Sequence, residues 1–208
     1  SVGLATLDHV VSNALVGGGM QRDTTGGIGG LAGVNQGGYI TDASSTGSTI
    51  STGAGTNVGG LVGFNVNGVL ERTTSSGEVR GSGAGNVGGL VGYNIYSDIT
   101  QSTSTSKVTG YGATGTGGLV GTSRNSRLKE VKAGGNVLDN LGANVGGLVG
   151  NNTAGSIDTA EALGTVTGGR NARVGGLVGN NYQGAISHSV ARGKVSGAIS
   201  SKVGGLVG

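Results

Sequence analysis

The stretch Val58-Gly59-Gly60-Leu61-Val62-Gly63-Phe64-Asn65 decides the fold, because copies of it recur along the whole chain. Close copies begin at Val87, Val145 and Val174, weaker copies at Ile28 and Thr116, and a truncated copy at Val203. The leucines of these copies are Leu31, Leu61, Leu90, Leu119, Leu148, Leu177 and Leu206. From Leu61 onward the leucines are evenly spaced, and only the first interval, Leu31 to Leu61, is longer, by a single position. A fixed period in this range is the signature of a repeat architecture.

The composition excludes several classes of protein. Glycine supplies 50 of the 208 residues and proline is absent, which excludes collagen. The regular recurrence of Leu, Val and Ile argues against a flexible linker. The net charge of +3 comes without a cluster of Lys and Arg among aromatic residues, so we expect no nucleic-acid partner. No apolar run approaches the roughly 20 residues needed to span a bilayer, so we expect no membrane insertion by this segment.

Aliphatic residues fall at three nearly equal stations in each unit. In the Leu61 unit they are Leu61 itself, Leu70 and Val79, with Val58 just before the leucine, and the other units repeat this spacing. A helix is a poor alternative, because glycine interrupts each helical window and costs roughly 1 kcal/mol per interior position. The spacing predicts an all-β fold, a parallel β-solenoid (three-sided β-helix) of about seven coils of 29 residues.

Glycine is expected at the corners of each coil and at close contacts. The Gly-Gly before each leucine would let backbone approach backbone across the core. We predict positive φ, which glycine adopts without a Cβ penalty, in two further columns of glycine: Gly47, Gly77, Gly135, Gly164 and Gly193, and Gly81, Gly110, Gly168 and Gly197.

Asparagine forms a column of its own, four residues after the leucine: Asn35, Asn65, Asn94, Asn152 and Asn181. Asparagine suits turns, and stacked asparagine amides bond to one another. We interpret the column as a structural ladder like that of the leucines. A ligand site formed by these asparagines is the alternative. Ser123 interrupts the column.

Two segments depart from the pattern. Residues 28–208 carry the repeats, whereas residues 1–27 lack the Gly-Gly-Leu signature. These first residues are either a degenerate first coil, with Val2, Val11 and Met20 at the aliphatic positions, or an N-terminal cap. The run from Arg124 to Lys132 is the densest charge cluster, read as a solvated face or as an anion or polysaccharide contact. Because the chain stops inside a repeat, we expect it to be a fragment, with further repeats or end-to-end self-association at that edge.

The repeated element resembles the GLUG motif, named for its Gly-Leu-aliphatic-Gly core. The direct matches are Gly60-Leu61-Val62-Gly63, Gly89-Leu90-Val91-Gly92, Gly147-Leu148-Val149-Gly150 and Gly176-Leu177-Val178-Gly179. GLUG repeats occur in large bacterial surface and secreted proteins, including filamentous-haemagglutinin-like adhesins and immunoglobulin A peptidases. The resemblance implies an extracellular, bacterial cell-surface location and carries no catalytic residues to transfer.

The sequence offers no catalytic constellation. His9 and His188 lie in different units, cysteine is absent, and no calcium-binding nonapeptide occurs. We therefore expect no enzyme, no metal site and no cofactor. The sequence does not identify ligand-binding residues. The leading hypothesis is a non-catalytic segment of a surface adhesin, acting as stalk or adhesive surface, with a host-surface protein or glycan as partner. The alternatives are the stalk of a secreted peptidase and an ice-binding solenoid with a threonine face made by Thr46, Thr74, Thr103 and Thr105.

Overall fold

A computed structural model describes residues 5–18, 26–83 and 85–208 and shows a parallel β-solenoid of about seven turns. All pairings between its named strands are parallel, and the described residues contain no helix. Phe64 pairs with Tyr93 and Leu70 pairs with Ile99, so each residue lies beside its equivalent in the next repeat. The predicted fold class and period are therefore confirmed. We name each coil by its leucine, so that the Leu61 coil runs from residue 57 to residue 85.

Four parallel sheets run the length of the stack, numbered here in the order in which a coil visits them. Sheet I precedes the leucine and contains Gly27–Gly29, Asn57–Gly59, Asn86–Gly88, Gly115–Gly117, Asn144–Gly146, Arg173–Gly175 and Lys202–Gly204. Sheet II follows the leucine and contains Ala32–Gln36, Val62–Val66, Val91–Ile95, Val120–Arg124, Val149–Thr153 and Val178–Tyr182.

The remaining two sheets complete each coil. Sheet III contains Thr6–Asp8, Val11–Ser12, Tyr39–Thr41, Ser44–Ser45, Val69–Glu71, Thr74–Ser75, Asp98–Thr100, Thr103–Ser104, Arg127–Ala133, Ser156–Ala162, Ala185–Ser187 and Val190–Ala191. Sheet IV contains Val16–Gly18, Thr49–Ser51, Val79–Ser82, Val108–Tyr111, Val137–Asp139, Val166–Gly168 and Val195–Gly197.

Sheets I and II lie back to back, with almost only backbone between them. A Cβ atom added to Gly63 would lie 2.6 Å from the Cα of Gly27, and one added to Gly59 would lie 2.0 Å from the carbonyl oxygen of Val62. Only glycine allows two backbones to approach this closely. The Gly-Gly-Leu-Val-Gly element is therefore a tight arch that joins sheet I to sheet II, as the paired glycines suggested.

The arch divides the interior into two apolar clusters. The larger cluster lies between sheets II and III and contains the leucines and their partners nine residues later, such as Leu61 and Leu70. The smaller cluster lies between sheets I and IV and contains Val58 and Val79 with their equivalents. At the tip of the arch, a Cβ on Gly60 would contact both Ser75 and Val79, which lie on either side of the corner between sheets III and IV. The aliphatic stations thus serve two narrow cores rather than one.

The prediction of positive φ at the two columns of corner glycines was wrong. Among the described residues, positive φ at glycine occurs at Gly37, Gly55, Gly83 and Gly112, none of which lies in the two predicted columns. Gly77 is required for a different reason: a Cβ there would lie 1.9 Å from the carbonyl oxygen of Gly47 in the preceding coil. The bends that need positive φ are instead made by two columns of mostly non-glycine residues, six and eleven residues after the leucine: Gly37, Asn67, Tyr96, Asn125, Ala154 and Gln183, and Asp42, Arg72, Gln101, Glu130, Thr159 and His188.

Residues 6–18 stack on the Leu31 coil, but in a different register from the one predicted. Leu7 pairs with Ile40, and Val11 pairs with Ser44 rather than occupying the aliphatic station. The offset from Leu7 to Ile40 is therefore longer than the period of the later coils, because the segment that joins the first two coils is longer. Val2 and Met20, the other two predicted stations, lie outside the described residues.

Candidate binding surfaces

The leucine and asparagine columns form internal ladders. Leu61, Leu90, Leu119, Leu148 and Leu177 are fully buried, and Leu31 packs against the same cluster, whereas Leu206 is 41% exposed. The backbone N–H of Leu61 donates to the carbonyl oxygen of Leu90 at 2.9 Å, and the same bond recurs from coil to coil. These leucines therefore hold successive arches in register.

The asparagine amides bond along the stack. The Nδ2 atom of Asn35 donates to Oδ1 of Asn65 at 2.8 Å, and that of Asn65 donates to Oδ1 of Asn94 at 2.7 Å. The ladder resumes where Asn152 donates to Asn181 at 2.7 Å. Asn65, Asn94 and Asn152 are fully buried. The structure thus offers a ligand no accessible amide at these three positions.

Ser123 stands in the gap of this ladder. Its side chain is fully buried and too short to reach the amides on either side. Within the part of the chain that the structure describes, the Ser123 Oγ and the Asn152 Oδ1 atoms have no hydrogen-bond partner. A buried polar atom without a partner costs free energy, so the Leu119 coil is the weak step of the asparagine ladder.

The outer face of sheet III carries the charges of the run from Arg127 to Lys132, whereas Arg124 lies at the end of a sheet II strand. Arg127 bonds to Asp98 of the preceding coil at 2.9 Å, and Lys132 bonds to Glu161 of the next coil at 2.9 Å. Arg192 also approaches Glu161, at 3.4 Å. The sheet III part of the run therefore forms a solvated face, on which ion pairs already engage Arg127, Lys129 and Lys132.

Hydrogen bonds on this face shift the ionisation of its carboxyl groups. The hydrogen bond from His188, helped by that from Ser187, lowers the pKa of Asp158 below its usual range. The hydrogen bond from Lys132 lowers the pKa of Glu161. Each partner stabilises the charged carboxylate, which is why the shift is downward.

The same face brings together Asp8, His9 and Asp42, whose potential ligand atoms lie within 4.8 Å of one another. The repeat period does not bring these three residues together, because the register of the first coil differs from that of the later coils. The carboxylates already have protein partners: Arg72 donates to both oxygens of Asp42 at 2.8 Å, and Thr41 donates to Asp8 at 2.7 Å. The hydrogen bond that His9 donates to the Asp8 carboxylate raises the pKa of His9. A protein cation, Arg72, thus already engages both oxygens of one carboxylate that a metal ion would need.

His9 and His188 lie at opposite ends of the stack and do not meet, as the coil spacing predicted.

Of the threonines proposed as an ice-binding face, Thr74 and Thr103 are neighbours on sheet III. The next residues in their column are Lys132 and Glu161, which form an ion pair. Beyond Thr103, charged residues therefore replace threonine in this column.

These features define a repeat protein of the parallel β-solenoid class, whose polar side chains mainly connect one coil to the next. The family model described as the GLUG motif matches residues 83–109 and 170–196. Both windows begin seven residues before a Gly-Leu-Val-Gly leucine, those of Leu90 and Leu177. The chain therefore carries a GLUG-motif repeat region. No curated protein and no solved structure matches the chain. In the described residues, no helix is long and apolar enough to cross a membrane.

Proposed function

We propose that this chain is a non-catalytic solenoid segment of a bacterial cell-surface adhesin, where it acts as a stalk and as an adhesive surface. The GLUG motif and the β-solenoid fold fit a non-catalytic repeat segment. The extracellular location and the adhesive role rest on the resemblance to repeat regions of surface proteins.

The observation that carries the stalk role is the continuity of bonding between coils. Leucines, asparagine amides and ion pairs all connect equivalent positions of neighbouring coils. A structure whose contacts are all between nearest neighbours extends by adding coils, without a change of cross-section. Seven coils at about 4.8 Å each span roughly 34 Å. Such a rod places whatever it carries at a fixed distance from its anchor.

The proposal is tested by deleting whole coils from the protein that contains this segment. The deletion should reduce attachment of the bacteria to host cells without reducing the amount of protein at the surface. Normal attachment at equal surface levels would contradict the adhesive role. A protein found only in the culture medium, with an active peptidase domain, would favour the secreted-peptidase stalk instead.

A further inference from the structure

The solenoid sorts its charges by side, although they are interspersed along the sequence. Sheet III and its margins carry the carboxylates of Asp8, Asp42, Glu71, Asp98, Glu130, Asp158 and Glu161, together with the cations of Arg72, Arg127, Lys129, Lys132 and Arg192. Sheet IV and its margins are different: their described residues present the cations of Arg80, Lys107, Arg170 and Lys194, with Glu78 as the partly exposed carboxylate. The sheet III side therefore carries more carboxylates than cations, whereas cations outnumber carboxylates on the sheet IV side.

Glu78 does not neutralise this side. It lies 3.5 Å from both Arg80 and Lys107, so one carboxylate is shared between two cations. No described carboxylate forms an ion pair with Arg170 or Lys194, which lie three or more coils further along. The sheet IV side consequently attracts anions along most of its length.

The same side is hollowed into a groove that follows the solenoid axis. One hollow of about 480 Å³ lies over the Leu31 to Leu119 coils and is lined by Arg80, Thr109, Tyr111 and Leu138, among others. A second of about 470 Å³ lies over the Leu119 to Leu177 coils and includes Leu141 and Arg170. Asn140 lines both hollows, so they adjoin. Because each of these coils contributes lining residues, the groove presents contacts at the spacing of the coils.

A buried carboxylate fixes the middle of the groove wall. Asp139 is fully buried, in a column where its neighbours in the adjacent coils are Gly110 and Gly168. It accepts hydrogen bonds from the backbone N–H of Gly112 and Leu141, both at 3.1 Å, and from the hydroxyl of Thr116 at 2.6 Å. These bonds hold the two loops that carry Tyr111 and Leu141. The groove wall is therefore preorganised, which lowers the entropy cost of binding a ligand.

We propose that this groove binds a linear acidic polysaccharide, one whose sugar rings carry carboxylates. The proposal deepens the adhesive role and rests on it for its biological setting. Arginine presents a planar fork of donors that matches a carboxylate, which suits Arg80 and Arg170. Tyr111 is 53% exposed and offers an aromatic face with a hydroxyl at its edge. Thr109, Asn140 and Thr167 add hydroxyl and amide groups for sugar hydroxyls.

A polymer fits this groove better than a single small ligand. The hollows are open, and their polar groups are spread along the axis rather than converging on a point. A nucleic acid is less well matched, because single strands are bound through a series of aromatic platforms and the groove has one, Tyr111.

The test uses the purified 208-residue chain with three fluorescent probes of similar length: an oligogalacturonate, a neutral cello-oligosaccharide and single-stranded DNA. At low salt the oligogalacturonate should bind, and the neutral glycan should bind at least about tenfold more weakly. Raising the salt concentration should weaken binding, as for any contact between exposed charges. Failure of the chain to bind oligogalacturonate, or equal binding of the neutral glycan, would overturn the proposal. Tighter binding of DNA would overturn it too, by assigning the groove to nucleic acid.

Matched variants then locate the site. The double variant Arg80→Ala/Arg170→Ala removes two cations from the groove and should weaken oligogalacturonate binding about tenfold or more. The double variant Arg127→Ala/Lys129→Ala removes two cations from sheet III and should leave binding unchanged. All four side chains are exposed, and circular dichroism checks that both variants keep the fold. An equal loss in the two variants would contradict a site at this groove.

The two proposals can fail separately. If the groove variant loses glycan binding but the parent protein carrying the same substitutions still mediates normal attachment, the glycan site stands and its adhesive role fails. If whole-coil deletion abolishes attachment while the wild-type chain does not bind oligogalacturonate, the adhesive role stands and the groove proposal fails.

Discussion

At the scale of single residues, the buried asparagine ladder is the feature most open to direct test. Asn65 accepts from Asn35 and donates to Asn94, and its side chain is fully buried. Asn65→Ala removes both bonds and leaves the Nδ2 atom of Asn35 without its ladder acceptor. We expect the free energy of unfolding to fall by about 1–3 kcal/mol. Urea denaturation measures the change.

The matched control for Asn65→Ala is Asn140→Ala, because Asn140 is exposed. Substitution of an exposed side chain usually changes stability by less than about 0.5 kcal/mol. Equal effects of the two variants would show that the ladder does not stabilise the stack beyond an ordinary surface contact.

The gap at Ser123 predicts a gain of stability. In Ser123→Asn the new amide would stand between Asn94 and Asn152, in the direction that the rest of the ladder follows. It would donate to the Oδ1 of Asn152, which has no partner in the described chain. We expect a gain of about 1 kcal/mol, measured as a higher urea midpoint. A lower midpoint would mean that the Leu119 coil lacks the space for an asparagine.

At the scale of the structural element, the arch depends on glycine for space. A Cβ at Gly60 would lie 2.1 Å from the carbonyl oxygen of Gly89, which belongs to the next arch and cannot rotate away. We expect Gly60→Ala to lower the free energy of unfolding by about 1–3 kcal/mol, the usual cost of overpacking. Gly205 occupies the same column and has nothing within 4 Å of its Cβ position, so Gly205→Ala is the control. Equal stability of the two variants would contradict the tight arch.

The carboxyl groups on sheet III should make the stability of the fold depend on pH. The pKa values of Asp158 and Glu161 are lowered from ordinary values of 3.8 and 4.5. A carboxyl group with a lowered folded-state pKa stabilises the fold above its unfolded-state pKa, and this contribution is lost as the pH falls through the folded-state value. We therefore expect the melting temperature to fall as the pH drops below about 4.5. Glu161→Gln should flatten part of that dependence, and an unchanged pH profile in this variant would contradict the role of the Lys132–Glu161 pair.

The sequence was sufficient to predict the coil and its columns, because the period fixes which residues stack. It did not predict the two-part core. Leu61 and Val58 are simply two aliphatic residues, and only the backbone contact at Gly59 and Gly63 places them on opposite sides of an arch. Similarly, Gly77 has no positive φ, because its column prevents a clash between coils rather than making a bend.

The candidate groove was harder to predict than the fold. Arg80 and Arg170 lie three coils apart and belong to no cluster in the sequence, so the charge pattern alone gave no basic patch. Once the period is known, both fall shortly after the third aliphatic position of their units, Val79 and Val166, and so at or next to sheet IV. The Asp8–His9–Asp42 group could not be found in this way, because the offset between the first two coils departs from the period.

At the scale of the whole molecule, the solenoid should tolerate the loss of one complete lap. Deletion of residues 90–118 joins Gly89 to Leu119 and preserves each column, so the remaining chain keeps the Gly-Gly-Leu arch at the junction. Stability in such arrays is close to a sum of nearest-neighbour terms. We expect a folded solenoid that is shorter by about 4.8 Å, detectable by small-angle X-ray scattering together with an unchanged β-type circular dichroism spectrum.

The comparison for this deletion is removal of half a lap, residues 90–103. That change brings sheet III residues into positions that belong to the arch, so side chains such as Ser104 and Val108 would meet the wrong partners in both neighbouring coils. We expect loss of cooperative unfolding and of slow amide hydrogen exchange in the coils on both sides of the junction. If the half-lap deletion folded as well as the full-lap deletion, equivalent residues of successive repeats would not be held to one another, and the stacked columns could not be what fixes this fold.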